Sequence, residues 1–333
     1  RYLTASGICG SSCSRSRRQP CGHPKCSAGF GMFFRNATVY QLLGPAQALA
    51  SALQEKMQDH PWTPCGATQP VSRGFIDIAG VPYVEADGAM LFAVKVSEKK
   101  IAPRAIKELV ADKVAAIEDR EGRKVYRKER LTLQDEIILD LMPHTPQVSR
   151  LIHAYIDTTA SLIVVDGKPA QAESLINLVR ECVGSLPCIT LGANLGTPDV
   201  MTGWLQRGAM PLGFDVGEAC ELREPGDDGG VVRCTGVDIM GDEIETHLQS
   251  GRQVHKLAMS WEGWVSFTLV DTWRLQGLKF DDDFIGQQEQ DIEDADAILQ
   301  ADLAIQAPTL RKLLAGLGEA FGGWVEQGHL DVA

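Results

Sequence analysis

From Met32 onward, short alternating runs of apolar and polar residues are interleaved with segments of helical spacing. The run Met32-Phe-Phe-Arg-Asn-Ala-Thr-Val-Tyr-Gln-Leu-Leu43 predicts a strand over 38–43, followed by a polar helix over 46–59 and strands over 74–78 and 89–96. Pro103 sits where a helix can begin. Ile106, Leu109, Val110, Val114 and Ile117 then recur every three or four residues, which makes one apolar face, with Lys107, Lys113 and Arg120 read onto the other. Glu121-Gly122 breaks that pattern. A second helix is predicted from Thr132, because Thr132-x-x-Asp135 is close to a capping box; Leu133, Ile137, Ile138 and Leu141 share a face and Pro143 stops it.

Residues 151–157 and 161–166 alternate around Thr158-Thr159-Ala160, which predicts a hairpin. A helix over 169–182, a loop and strand over 184–191, a short helix over 198–208, strands over 214–222 and 231–239, and a helix over 242–249 follow. Strands are predicted over 253–261, 265–270 and 275–280. The end reads as helical, with Leu310, Leu313, Leu314, Leu317 and Phe321 as an apolar stripe. Interleaved strands and helices with many hairpin connections define an α+β class with mixed or antiparallel sheets. The chain divides on this reading into a leader (1–31), an N-terminal α+β region carrying the helical hairpin (32–150), a central region (151–280) and a helical end (281–333).

With 333 residues, 44% of them hydrophobic, the chain can bury a substantial core. Its longest apolar runs, such as Leu162-Ile-Val-Val165, fall far short of the roughly 18 residues a membrane helix needs, so a soluble protein is expected. Nine scattered cysteines in such a chain read as reduced thiols of a cytosolic protein. The leader differs from the rest: residues 1–31 hold no acid, five bases and Cys9, Cys13, Cys21 and Cys26. Met32 reads as the natural first residue and the leader as an upstream extension; a metal knuckle with His23 and a targeting peptide are the alternatives.

Charge sharpens the picture. The formal net charge is -12, yet residues 95–130 hold twelve Lys or Arg against seven Asp or Glu. Five of the eight residues over 123–130 are cationic. Lys99, Lys100, Arg104, Lys107, Lys113, Arg120, Arg123, Lys124, Arg127, Lys128 and Arg130 are therefore candidate contacts to a polyanion, a basic face on an acidic body. The bland reading is a solvated amphipathic helix. The run over 281–302, with nine acids and no base, reads as a solvated helix or linker, or alternatively as a mimic of nucleic acid shielding the basic face.

Enzyme chemistry is mostly missing from the sequence. There is no phosphate-binding P-loop and no nucleophile elbow, and Gly192-Ala-Asn-Leu-Gly196 is too short for a dinucleotide site. Asp157 and Asp166 frame the predicted hairpin and are candidates for a metal-dependent nuclease, although two-metal chemistry needs further carboxylates; hairpin-end residues are the plainer reading. The tryptophans, including Trp204, Trp261, Trp264, Trp273 and Trp324, read as core anchors, and His247 and His255 as structural or surface residues.

These residues resemble the RdgC family of bacterial recombination-associated proteins. The resemblance is carried by Met32-Phe-Phe-Arg-Asn-Ala-Thr-Val-Tyr40, Pro64-Cys-Gly66, Glu121-Gly-Arg-Lys124 with Arg127-Lys-Glu129, and Gly184-Ser-Leu-Pro187. It continues through Gly229-Gly-Val-Val-Arg233, Asp242-Glu-Ile244, Gln253-Val-x-Lys-Leu-Ala258 and Leu278-Lys-Phe280. It implies a dimeric ring of curved subunits whose basic lining encircles double-stranded DNA without reading sequence, touching phosphates. It also implies no cofactor, no metal and no catalytic residue, a cytoplasmic, nucleoid-associated protein, and restraint of RecA-promoted recombination. Arg123 and Lys124 fall on the family's Gly-Arg-Lys motif, and Arg233 joins the lining. The sequence departs from the family at His144-Thr-Pro-Gln147, where Arg-Ala-Phe-Ser is usual, and after Cys234, where Lys and Gln are common; by resemblance His144, Pro146, Gln147 and Val237 lie at the homodimer interface. A protein-interaction module is the remaining alternative.

Overall fold

The computed structural model describes residues 32–226, 229–286 and 294–325. The leader, with its cysteine-knuckle reading, and residues 287–293 of the acidic run lie outside the described residues. The described residues all fall within one compact unit.

In chain order the first half comprises β1 (Asn36–Leu42), α1 (Ala46–Lys56), β2 (Val71–Ile76), β3 (Val84–Ala86), β4 (Ala89–Lys99), α2 (Pro103–Glu121), α3 (Arg127–Leu141), β5 (Gln147–Asp157), β6 (Leu162–Val165) and α4 (Pro169–Val183). The second half comprises β7 (Cys188–Thr190), α5 (Thr197–Arg207), β8 (Phe214–Arg223), β9 (Val231–Thr235), α6 (Asp242–Gln249), β10 (Gln253–Trp261), β11 (Val265–Val270), β12 (Arg274–Phe280), α7 (Asp282–Gly286) and α8 (Ala295–Ala320). The strands form a single twelve-stranded sheet in the order β2-β4-β5-β6-β1-β12-β11-β10-β8-β9, with β3 on β4 and β7 on β1. Every strand pairing described is antiparallel, so of the two sheet types expected the antiparallel one is present. The division expected at 150 falls inside β5, and both halves share the sheet.

Burial explains why some strands alternate and others read as continuous apolar runs. In β4, Leu91 and Ala93 enter one core cluster while Met90, Phe92 and Val94 enter a second on the opposite face. A strand covered on both sides has no polar face to show. α1 and α4 cover the second cluster; α5, α6 and α8 cover the first. The strands β8 to β12 put their apolar residues chiefly on one face. Val254, Leu257, Met259 and Trp261 of β10 face the core, while Lys256, Ala258 and Ser260 stay half-exposed. α8 also receives the start of the described chain: Met32 N–H donates to Asp302 Oδ2 at 2.7 Å and Phe34 N–H to Gln306 Oε1 at 2.5 Å. Trp204 and Trp261 are core residues as expected, and Trp264, 37% exposed, stacks on Phe284.

The predicted start of the second helix is wrong. α3 begins at Arg127, not Thr132, with Tyr126 as its extended N-cap. Thr132 lies one turn inside and its Oγ1 donates back to Lys128 O, the interior alternative open to a threonine. Arg, Lys and Glu are good helix formers and extend the helix to the turn. β9 also ends at Thr235, short of the expected 239, where Gly236 adopts a φ of +67°.

Candidate nucleic-acid interface

The basic stretch is built as an arm. Ala102 is extended, Pro103 supplies the first turn of α2, and Gly122 closes α2 in the left-handed conformation (φ +64°), which glycine adopts without strain. The Val125 N–H then donates to Glu118 Oε1 at 2.9 Å. α2 and α3 pack chiefly against each other. Their buried residues Val114, Val125 and Ile137 belong to neither sheet cluster.

The eleven candidate cations divide sharply. Lys99 Nζ donates to Gly66 O, Ala67 O and Met142 O at 2.8, 3.1 and 3.2 Å, so it fastens the loop before β2 to the base of the arm. Lys100 pairs with Glu98, Arg104 with Glu108, Lys113 with Asp140, Arg120 with Glu121, and Arg123 with Glu121 and Glu129. Lys107, Lys124, Arg127, Lys128 and Arg130 are exposed, and among the described residues their side chains make no hydrogen bond or ion pair. The expectation of one basic face on α2 is corrected: at about 100° per residue, Lys107 lies about 120° around the helix from Lys113. The unpaired charge gathers at the tip, in the turn and the first turn of α3. Three cations there oppose the positive end of the helix dipole, a local arrangement unfavourable for folding that leaves a phosphate-sized anion attracted by both.

A second basic group lies on the uncovered face of the sheet. Arg233, Glu221 and Lys256 are register partners across β9, β8 and β10. Glu221 is buried, and its Oε1 accepts from Arg223 Nε and Nη2 at 2.9 and 2.7 Å. Its Oε2 accepts from Arg233 Nε at 3.0 Å and Lys256 Nζ at 2.9 Å. Burial pushes this carboxyl up, but the hydrogen bonds from Lys256, Arg223 and Arg233 outweigh it and bring it to about 2. Three cations thus surround one carboxylate, and Arg233 keeps 69% of its side chain exposed. Arg223 and Lys256 were missed by sequence reasoning because only strand register brings them to Arg233.

The residues assigned to an interface by resemblance sit on separate elements. His144 and Pro146 are exposed between α3 and β5, and Val237 is exposed after β9. Gln147 differs: its Oε1 accepts the Cys65 N–H at 2.9 Å within the chain.

Asp157 and Asp166 are not brought together. Asp157 pairs with Leu162, whereas the Asp166 N–H reaches His153 O, four residues along β5 or about 13 Å away. Asp157 is buried. Its Oδ1 accepts from Thr159 and Ala160 N–H at 2.9 Å, and its Oδ2 accepts from Arg311 Nε at 2.8 Å. Asp166 Oδ1 accepts the Asn36 N–H. Asp157 thus closes the β5–β6 turn, and Asp166 ties the start of β1 to the end of β6. Among the described residues no group of three or more His, Cys, Asp or Glu is placed to hold a metal ion, and no helix is long and apolar enough to cross a membrane.

Residues 32–324 match a family model described as "Putative exonuclease, RdgC". The chain is 34% identical over 298 residues to a protein of Tolumonas auensis, covering 88% of this chain and 99% of that one. It is 35% identical over 301 residues to a protein of Shewanella baltica, covering 89% and 99%, and 35% identical over 298 residues to one of Shewanella oneidensis, covering 88% and 98%. All three relatives are named "Recombination-associated protein RdgC".

Proposed function

Because the chain belongs to the RdgC family, we propose that it acts in DNA recombination as a non-enzymatic, sequence-independent binder of double-stranded DNA. It works as a homodimeric ring in the cytoplasm, on the nucleoid, and restrains RecA by occupying the duplex. The observation that carries this reading is the unpaired charge of Lys124, Arg127, Lys128 and Arg130 at the tip of the arm in a chain of net charge -12. Among the described residues these cations meet no carboxylate, and phosphates supply what is missing. The Arg223, Arg233 and Lys256 group adds a second positive surface with no base-reading geometry of its own, which suits backbone contact.

The test is duplex binding across a salt series, with molar mass measured with and without DNA. Log affinity falls linearly with log salt, by about 0.9 per phosphate neutralised, and changing the DNA sequence leaves affinity unchanged. Reversing Lys124, Arg127, Lys128 and Arg130 to Glu abolishes binding with the fold intact. Salt-insensitive binding, or full binding by the reversed variant, refutes the reading.

The description of the matched family favours a second reading, DNA hydrolysis. It needs a carboxylate set other than Asp157 with Asp166. End-labelled duplex incubated with magnesium or manganese decides between them: shortening of the label by purified protein supports hydrolysis.

A further inference from the structure

The last two strands of the sheet carry a thiol pair that DNA contact does not use. Cys220 and Cys234 are register partners on β8 and β9. Both turn to the core side, Cys220 within the larger cluster and Cys234 packed against it. Cys220 is 5% exposed and Cys234 half-buried. The two thiols face each other across the strand pair and are unlinked.

The ladder fixes their spacing. Glu224 N–H donates to Gly230 O at 3.0 Å and Gly236 N–H to Glu218 O at 2.7 Å. Bonded and non-bonded pairs alternate along an antiparallel ladder, so Cys220 and Cys234 form a bonded pair with Cα atoms about 5.5 Å apart. That distance lies within the range of a disulfide. Opposed Cβ atoms start slightly farther apart than a bridge prefers, so closure draws β9 in by about 1 Å. β9 has room to give. It is a five-residue edge strand between Gly229-Gly230 and Gly236.

We propose that Cys220 and Cys234 are a reversible disulfide site oxidised by peroxide. Cys234, the more exposed sulfur, attacks one oxygen of hydrogen peroxide as its thiolate. The O–O bond breaks, Cys234 becomes a sulfenic acid, and the departing hydroxide takes up the proton released when the thiolate formed and leaves as water. The Cys220 sulfur then attacks the sulfenic sulfur, the S–O bond breaks, and a second water carries away the Cys220 proton. Two thiols have lost two electrons and one peroxide has gained them. Burial, with Cys234 beside it, pushes the Cys220 thiol up to about 12, which leaves the first attack on peroxide to Cys234. A bridge that needs closure of the ladder is among the more easily reduced, so small thiols reopen it.

The experiment treats the full chain with hydrogen peroxide, alkylates remaining thiols and maps peptides without reduction. The peptide joining Cys220 to Cys234 appears in about ten-fold excess over any bridge involving another cysteine, and dithiothreitol removes it. Cys234→Ser, a half-buried change that leaves the circular dichroism spectrum unaltered, abolishes the bridge; Cys182→Ser leaves it intact. Alkylated Cys220 beside over-oxidised Cys234, or a dominant bridge from either residue to another cysteine, overturns the proposal. Neither outcome depends on DNA binding.

Discussion

Arg123 grips Glu129 with both arms of its guanidinium, Nη1 to Oε2 at 2.8 Å and Nη2 to Oε1 at 2.7 Å, across the turn between α2 and α3. Its Nε takes Glu121 Oε2 at 2.7 Å. The Glu129 carboxyl is held below its ordinary range by Arg123, and that of Glu121 by Arg120 and then Arg123. Arg123 therefore shapes the turn on which its unpaired neighbours stand.

Replacing it separates shape from contact. Arg123→Gln speeds amide hydrogen exchange over residues 124–129, while the slope of DNA affinity against salt changes by less than about 0.5; Lys128→Gln lowers that slope by about 0.9. A larger slope change for Arg123→Gln than for Lys128→Gln puts Arg123 on the phosphates instead.

Lys99 gives the complementary case. Lys99→Met keeps the aliphatic stem and removes three donors to carbonyls. A loss of about 1–2 kcal/mol in urea unfolding is expected, with the salt slope unaltered. A reduced slope with unaltered stability would return Lys99 to the DNA surface.

Glu221 links stability to acid. Its folded value of about 2 lies below the ordinary 4.5. The stabilisation is therefore complete above about pH 4.5, fades as pH falls and is gone below about 2, a total of at most about 3 kcal/mol. Glu221→Gln flattens unfolding free energy over that window. It also removes one negative charge from the open sheet face and strengthens DNA binding at low salt by about three- to ten-fold; weaker binding removes this face from the interface.

Asp157 answers to Arg311. Asp157→Asn keeps a turn acceptor but strips the charge opposite a largely buried guanidinium, at a cost of about 2–3 kcal/mol in chemical denaturation. Pairing it with Arg311→Met recovers part of that loss. Additive losses would mean the two residues act independently.

Legibility in the sequence followed the reach of each interaction. The β5–β6 hairpin, α6, β10 and β11 announce themselves because their signals are local: alternation, caps and short turns. Arg233, Glu221 and Lys256 carry no such signal, since register alone assembles them. The arm was legible as two helices with dense charge, but not which cations are spent on neighbours: Glu98 claims Lys100, just past its own strand, and Arg150 from β5. Thr132 misled because a capping residue and a helix-interior threonine look alike when good helix formers precede it.

An arm with its own small hydrophobic centre answers to different constraints from the sheet beneath it. Substitutions in Val114 or Ile137 leave the two large clusters alone, and changes in Phe92 or Leu269 leave the tip alone. The surface shown to a partner and the framework that carries it are thus free to diverge at separate rates.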